Sequence, residues 1–163
     1  MVAPKLAISA MRSALIQSGM VTVVNNRPPV CTAAAPSIAS IWPANHQMVP
    51  VSVLGVTDPD GTGVTITITA ILQDEPVNSG GDGNTGFDAA GVNTSTAQVR
   101  AERSGQGNGR FYHIRFTATD PSGASCNGEV KVVVPKSQGK NDVPVDGGAL
   151  YNSTVAPLAI KED

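Results

Sequence analysis

The segment Val64 to Gln73 places Val64, Ile66, Ile68, Ala70 and Leu72 on one side of a strict alternation and Thr65, Thr67 and Thr69 on the other. A period of two, carried by β-branched residues, is the signature of a strand with one face in a core. Met48 to Thr57 repeats it with Val49, Val51 and Val53, and Arg110 to Thr119 with Tyr112, Ile114, Phe116 and Ala118. Ala97 to Arg103 and Glu129 to Val134 read as further strands, the latter stopped by Pro135. Between them lie turn signals. Asp120-Pro-Ser-Gly123 fits a β-turn, and Ser104-Gly-Gln-Gly-Asn-Gly109 predicts a hairpin tip between its flanking strands. The stretch 76–96 is a long loop rich in Gly, Asn and Asp, with room for one short strand.

With 17 glycines and 12 prolines there is little room for long helices. The expected class is all-β: an immunoglobulin-like two-sheet sandwich of about seven strands, with irregular N- and C-terminal extensions. The chain divides into residues 1–29, an N-terminal segment and linker read as the remnant of a preceding domain; residues 30–136, the sandwich; and residues 137–163, a polar tail or loosely docked extension. Within the first segment, Leu6, Met11, Leu15 and Ile16 give a weak helical pattern, and Val21 to Val24 reads as a strand ahead of Asn25-Asn-Arg-Pro-Pro29. Arg12 interrupts the apolar stretch after Lys5, so the N-terminus makes a poor signal peptide, and the expectation is a piece of a longer exported chain. No apolar run reaches the roughly 18 residues that a membrane-spanning helix needs.

Cys31 and Cys126 bracket the expected sandwich, and their spacing fits no Cys-x-x-Cys metal or redox motif. One disulfide is the economical reading, and it implies an oxidising compartment, hence a secreted or cell-surface location. In the expected topology the two cysteines lie at the same pole of the sandwich.

Only 15% of residues are charged and the net charge is -2, which gives no footprint for nucleic acid or an anionic membrane. The charge is unevenly spread. From Pro28 to Val99 there is no Lys or Arg, while Asp58, Asp60, Asp74, Glu75, Asp82 and Asp88 all fall there. Either these acids are a solvated surface or they are oxygen ligands for a hard cation, with calcium as the candidate structural ion. Asp58-Pro-Asp-Gly-Thr-Gly63 has the acids and glycine of the first half of a calcium loop, but its twelfth position is Thr69, where such a loop needs a bidentate Glu. A strand separates the acids into two groups at opposite poles: Asp58 and Asp60, expected near Asp120 and the linker, and Asp74 and Glu75, expected near Glu102. At the second pole Arg100, Arg103 and Arg110 make salt bridges as good an account as a metal.

The residues Ile41-Trp-Pro-Ala-Asn-His-Gln-Met-Val-Pro50, Asp58-Pro-Asp-Gly61, Gln73-Asp-Glu-Pro-Val77, Gly81-Asp-Gly83, Arg100-Ala-Glu-Arg-Ser-Gly105, Gly109-Arg-Phe-Tyr112 and Phe116-Thr-Ala-Thr-Asp120 carry a resemblance to the immunoglobulin-like, hyalin-repeat-like domains of bacterial secreted and surface proteins. Trp-Pro-x-Asn-His followed by Arg-Ala-Glu-Arg-Ser-Gly is its most specific part, and the resemblance spans Cys31 to Pro135. It implies an exported, non-catalytic module and supplies no ligand.

His46 is expected to be a loop residue bonded to backbone, with Trp42 covering the core edge; His113 is expected to be exposed; Tyr112 is placed for a corner hydrogen bond to backbone. No Gly-x-Ser-x-Gly elbow or histidine-rich metal motif is present. Two functions stand side by side. One is a disulfide-closed, calcium-stiffened structural or adhesion module whose partners are neighbouring domains of a longer chain. The other is an accessory module that binds a carbohydrate or protein surface ligand through loop 76–95 and the 104–109 tip, with Phe87 as the loop's single aromatic platform.

Overall fold

The computed structural model describes residues 25–78, 80–83 and 86–156, so the helical pattern and strand read within residues 1–24 lie outside the described residues. These residues form eight strands: β1 (Ala35–Pro36), β2 (Met48–Leu54), β3 (Thr65–Gln73), β4 (Ala89–Ala90), β5 (Thr96–Arg100), β6 (Gly109–Thr119), β7 (Ser125–Pro135) and β8 (Tyr151–Asn152). They make two antiparallel sheets of four, ordered β1-β2-β5-β4 and β7-β6-β3-β8, a two-sheet sandwich. The core between them holds Val51, Ala97 and Val99 from the first sheet and Ile68, Ile71, Tyr112, Ile114, Phe116, Val130, Val132 and Val134 from the second. The alternation read along β6 is therefore the inward face of the longest central strand.

Two sequence readings change. The strands flanking loop 104–109 are not a hairpin: β5 pairs with β2 and β4, whereas β6 pairs with β3 and β7. Both strands bury one face against the same core, so the glycine-rich loop must cross from sheet to sheet, a gap of about 10 Å. The second change lies in β3. Its register against β6 shifts between Ile68 and Ala70, where Ile68 pairs with Phe116 and Ala70 with Arg115. One extra residue reverses every later side chain. Ile71 and Gln73 therefore point inward, and Ala70 and Leu72, expected on the core face, are only partly buried.

Both flanks of the sandwich are sealed by chain outside the large strands. On one, Cys31 is bonded to Cys126 at the start of β7, with Cα atoms 6.0 Å apart and a sequence separation of 95. Further along the same edge Ser40 bridges Val133 in parallel, with Ile41 N donating to Val133 O and Val133 N to Ala39 O, each at 2.9 Å. On the other flank the chain beyond β7 returns and docks. Leu150 N donates to Gln73 O, Ser153 N donates to Ile71 O, and Ser153 O accepts from Asp88 N and Ala89 N. Ser153 thus ties the second sheet to β4 of the first. Unpaired edges invite pairing with other chains, and these two seals remove the longest of them.

The returning segment also covers His113, which is buried at 3% exposure instead of exposed. Its Nδ1 lies 2.8 Å from Glu129 Oε1 and its Nε2 2.9 Å from Asp146 Oδ1. The alternation of β6 does place His113 on the face away from the core; the segment around Asp146 then takes that face from solvent.

Candidate functional site

At the first pole Asp58, Asp60 and Asp120 stand near the linker, as the topology suggests, but each already has donors. Asp58 Oδ1 accepts from Asp60 N at 2.8 Å and so closes its own turn. Asp120 does the same with Ser122 N and Ala124 N, and its other oxygen accepts from Asn26 Nδ2 at 2.8 Å. Asp60 takes Arg27 N on one oxygen at 2.6 Å and Arg27 Nε on the other at 2.8 Å. The backbone and then the guanidinium of Arg27 hold the Asp60 carboxyl below its ordinary range, and the Asn26 amide does so for Asp120. Among the described residues the side-chain cation paired with an acid at this pole is Arg27.

The second pole is built around Arg110, a fully buried guanidinium on the inward face of β6. Asp88 Oδ2 lies 2.8 Å from Nη1, Glu75 Oε2 3.2 Å from Nε, Asp82 Oδ2 3.6 Å from Nη2 and Glu102 Oε1 3.6 Å from Nη1. These acids come from two connections: Glu75, Asp82 and Asp88 from the one between β3 and β4, and Glu102 from the one between β5 and β6. One guanidinium therefore fixes the loops of this pole to one another. Gln73, turned inward by the bulge, donates to Asp88 Oδ2 at 2.7 Å and to Glu75 O at 2.9 Å. Tyr112 OH donates to Arg100 O at 2.9 Å, the backbone bond anticipated for this residue, and its ring lies 6.0 Å beneath the Arg110 guanidinium. Burial pushes the Asp88 carboxyl up, against the pull of Arg110. Burial also works against the Arg110 charge, but Tyr112, Asp88 and Glu75 together hold it protonated.

Asp74 stands apart from this cluster, accepting from Phe111 N at 2.8 Å and from Gly147 N at 3.1 Å. His46 donates or accepts at Nδ1 with Glu102 Oε2 at 3.0 Å, packs its ring on Gly83, and keeps about half its side chain in solvent. Gly83 has φ +95°, which favours glycine, and a Cβ there would sit 2.7 Å from the His46 ring and push it aside. Trp42 is 44% exposed at the margin of the core.

Asp60 faces a guanidinium, Asp58 and Asp120 cap turns, and Glu75 and Glu102 surround Arg110. Among the described residues no three His, Cys, Asp or Glu side chains stand together as a ligand set. Neither histidine there is hydrogen-bonded to a hydroxyl or thiol; their partners are carboxylates.

Beside the Arg110 cluster, loops 76–95 and 104–109 meet. Gly105 N donates to Gly80 O, and a groove of about 660 Å³ opens between Gly80, Gly81, Ser104, Gly105 and Gln106. No family model, curated protein or solved structure matches the chain. Among the described residues no helix is long and apolar enough to cross a membrane.

The sequence named Glu75, Glu102 and Arg110 for this pole, but not that Arg110 is the centre or that Gln73 and Asp88 join it. One signal was available. Arg110 shares the parity of Tyr112, Ile114 and Phe116, and so belongs to the buried face of β6.

Proposed function

We propose that this chain is a non-catalytic, extracellular structural or adhesion module of the immunoglobulin-like, hyalin-repeat-like kind, part of a larger secreted or surface protein. The observation that carries this reading is the Cys31–Cys126 disulfide, which closes the sandwich and calls for an oxidising compartment. The sealed flanks and the Arg110 cluster support it, because both serve rigidity and neither presents a reactive group. At the pole where a preceding domain would join, Arg27 and Asn26 bind Asp60 and Asp120, so the linker is held by its own side chains.

Arg27 holds both oxygens of Asp60, so calcium binding through Asp60 competes with it. Thermal melts in millimolar calcium and in chelator are therefore expected to coincide. A rise with calcium that disappears in Asp60→Asn would instead assign the stiffening to the ion.

The groove between the two glycine-rich loops favours a second reading, an accessory module binding carbohydrate or protein. A glycan array and a pull-down from surface extracts separate the two. A spacer is expected to retain nothing, whereas reproducible retention lost in Gly105→Trp, which fills the groove, would establish the binding module.

A further inference from the structure

We propose that Asn108 is a self-modifying site: the backbone nitrogen of Gly109 attacks its side-chain amide, ammonia leaves, and water converts the residue to aspartate or isoaspartate. The inference does not depend on the functional reading above.

The sequence holds two Asn-Gly pairs, Asn108-Gly109 and Asn127-Gly128. A glycine after the asparagine lets the chain bend until its nitrogen reaches the side-chain carbonyl carbon, with no Cβ in the way. A bond then forms from Gly109 N to Asn108 Cγ, the Cγ–Nδ2 bond breaks, and Nδ2 departs as ammonia with the proton from Gly109 N. The product is a five-membered imide. Water opens it at Cγ to leave aspartate, or at the backbone carbonyl carbon to leave isoaspartate, whose chain runs through Cγ.

Both asparagines are exposed, so exposure does not separate them. The backbone does. Val133 N donates to Ala39 O and Val133 O accepts from Ile41 N, so the odd-numbered residues of β7 turn their backbone groups away from β6. The register between β6 and β7 runs without a shift, and in an antiparallel ladder bonded and non-bonded pairs alternate. Gly128, paired with Phe116, therefore falls in a bonded pair, and its nitrogen is committed to the ladder. The Asn127 side chain is held as well, since its Oδ1 accepts from Thr117 Oγ1 at 2.6 Å. Attack at Asn127 requires β6 and β7 to part.

Gly109 is paired with Pro135 and falls in a non-bonded pair by the same alternation, so its nitrogen points toward the β3 side. Phe111, two residues on, faces that side too, where it exchanges backbone bonds with the Asp74 side chain and backbone. The ladder between β3 and β6 ends at Gln73 and Tyr112, so Gly109 N lies beyond it. Asn108 itself is outside any strand, at the end of the glycine-rich crossing between the sheets. Its amide Nδ2 donates to Val145 O at 3.5 Å, a long bond and a weak restraint. Nucleophile and target are thus both outside the ladder at Asn108, and neither is at Asn127.

The change reaches two neighbours. A carboxylate has no proton to offer the Val145 carbonyl, so the tie from the crossing loop to the returning segment is lost. Isoaspartate also lengthens the backbone by one methylene two residues before Arg110, whose guanidinium holds the acids of the second pole.

Ageing the full, oxidised chain in warm, mildly alkaline buffer tests this, with peptide mapping by mass spectrometry and isoaspartate-specific methylation at each time point. Asn108 is expected to convert about tenfold or more faster than Asn127, because parting two central strands is among the costliest local openings of a fold. The ratio is expected to shrink toward one in the urea-unfolded chain. In Asn108→Gln the fast conversion of the peptide 104–110 is expected to vanish, which separates it from any change at Gln106. Equal rates at the two asparagines in the folded protein, an unchanged Asn108, or a ratio that persists in urea would overturn the proposal.

Discussion

Arg110→Met is expected to destabilise the protein by about 3–5 kcal/mol, the cost of leaving buried charges without their partner. Methionine fills much of the volume and keeps the aliphatic stem, so the loss is electrostatic. Asp82, Asp88 and Glu102 are each essentially buried, and Glu75 is nearly so, around the single guanidinium. In its absence these acids lose the guanidinium at their centre, and the loop between β3 and β4 and the loop after β5 lose their common anchor. Urea unfolding measures the effect. The deficit is expected to narrow toward acid pH for a definite reason. Burial already raises the Asp88 carboxyl, and an acid whose folded value is raised favours the folded state more as the pH falls; without Arg110 that uptake of a proton relieves one of the buried charges. Adding Asp88→Asn to Arg110→Met should recover part of the loss at neutral pH, whereas Asp88→Asn alone should not stabilise. A variant indistinguishable from the parent would mean that the cluster is not what holds the second pole.

How far the sequence led can be judged from these same residues. The alternations of β2 and β6 are local patterns, and Val51, Tyr112, Ile114 and Phe116 are buried as they imply. The β3 alternation failed halfway, because a bulge is a register event set by the partner strand and leaves no trace in the pattern of Thr and Ile. That single slip turned Gln73 toward Asp88. The meeting of Asp60 and Asp120 with the linker was legible from strand order, but the cation there is Arg27, a residue read only as part of a linker. The hairpin at 104–109 was misread because a glycine-rich tip suits a crossing between sheets as well as a turn within one. The segment that returns after β7 and docks on β3 was the least legible element. Its contacts are backbone bonds and isolated side chains, Asp146 to His113 and Leu150 to Gln73, made by a polar stretch without periodicity. Hydrophobic patterning carries no information about such docking, and with it went the burial of His113.

Opening the Cys31–Cys126 bridge is the other change with a large expected effect. The bridge closes a loop of 95 residues, and the chain-entropy account gives about 4.7 kcal/mol for such a loop, near the upper end of what disulfides contribute. The core has few aromatic side chains to compensate, with three Phe, two Tyr and one Trp in the whole sequence. Cys31→Ser with Cys126→Ser, or reduction of the parent, is expected to bring a large fall in the midpoint of denaturant unfolding, while Arg27, Asn26 and the Ser40–Val133 bridge continue to hold the same flank once the protein is folded. The bridge is also the main support for the proposal of a place outside the cytosol. The most direct measurement is thus a non-reducing peptide map, after thiol alkylation, of the chain taken from the cells that make it. A peptide pair joined through Cys31 and Cys126, with neither thiol alkylated, is the predicted result; two alkylated cysteines in the folded protein would contradict the account of a disulfide-closed extracellular module.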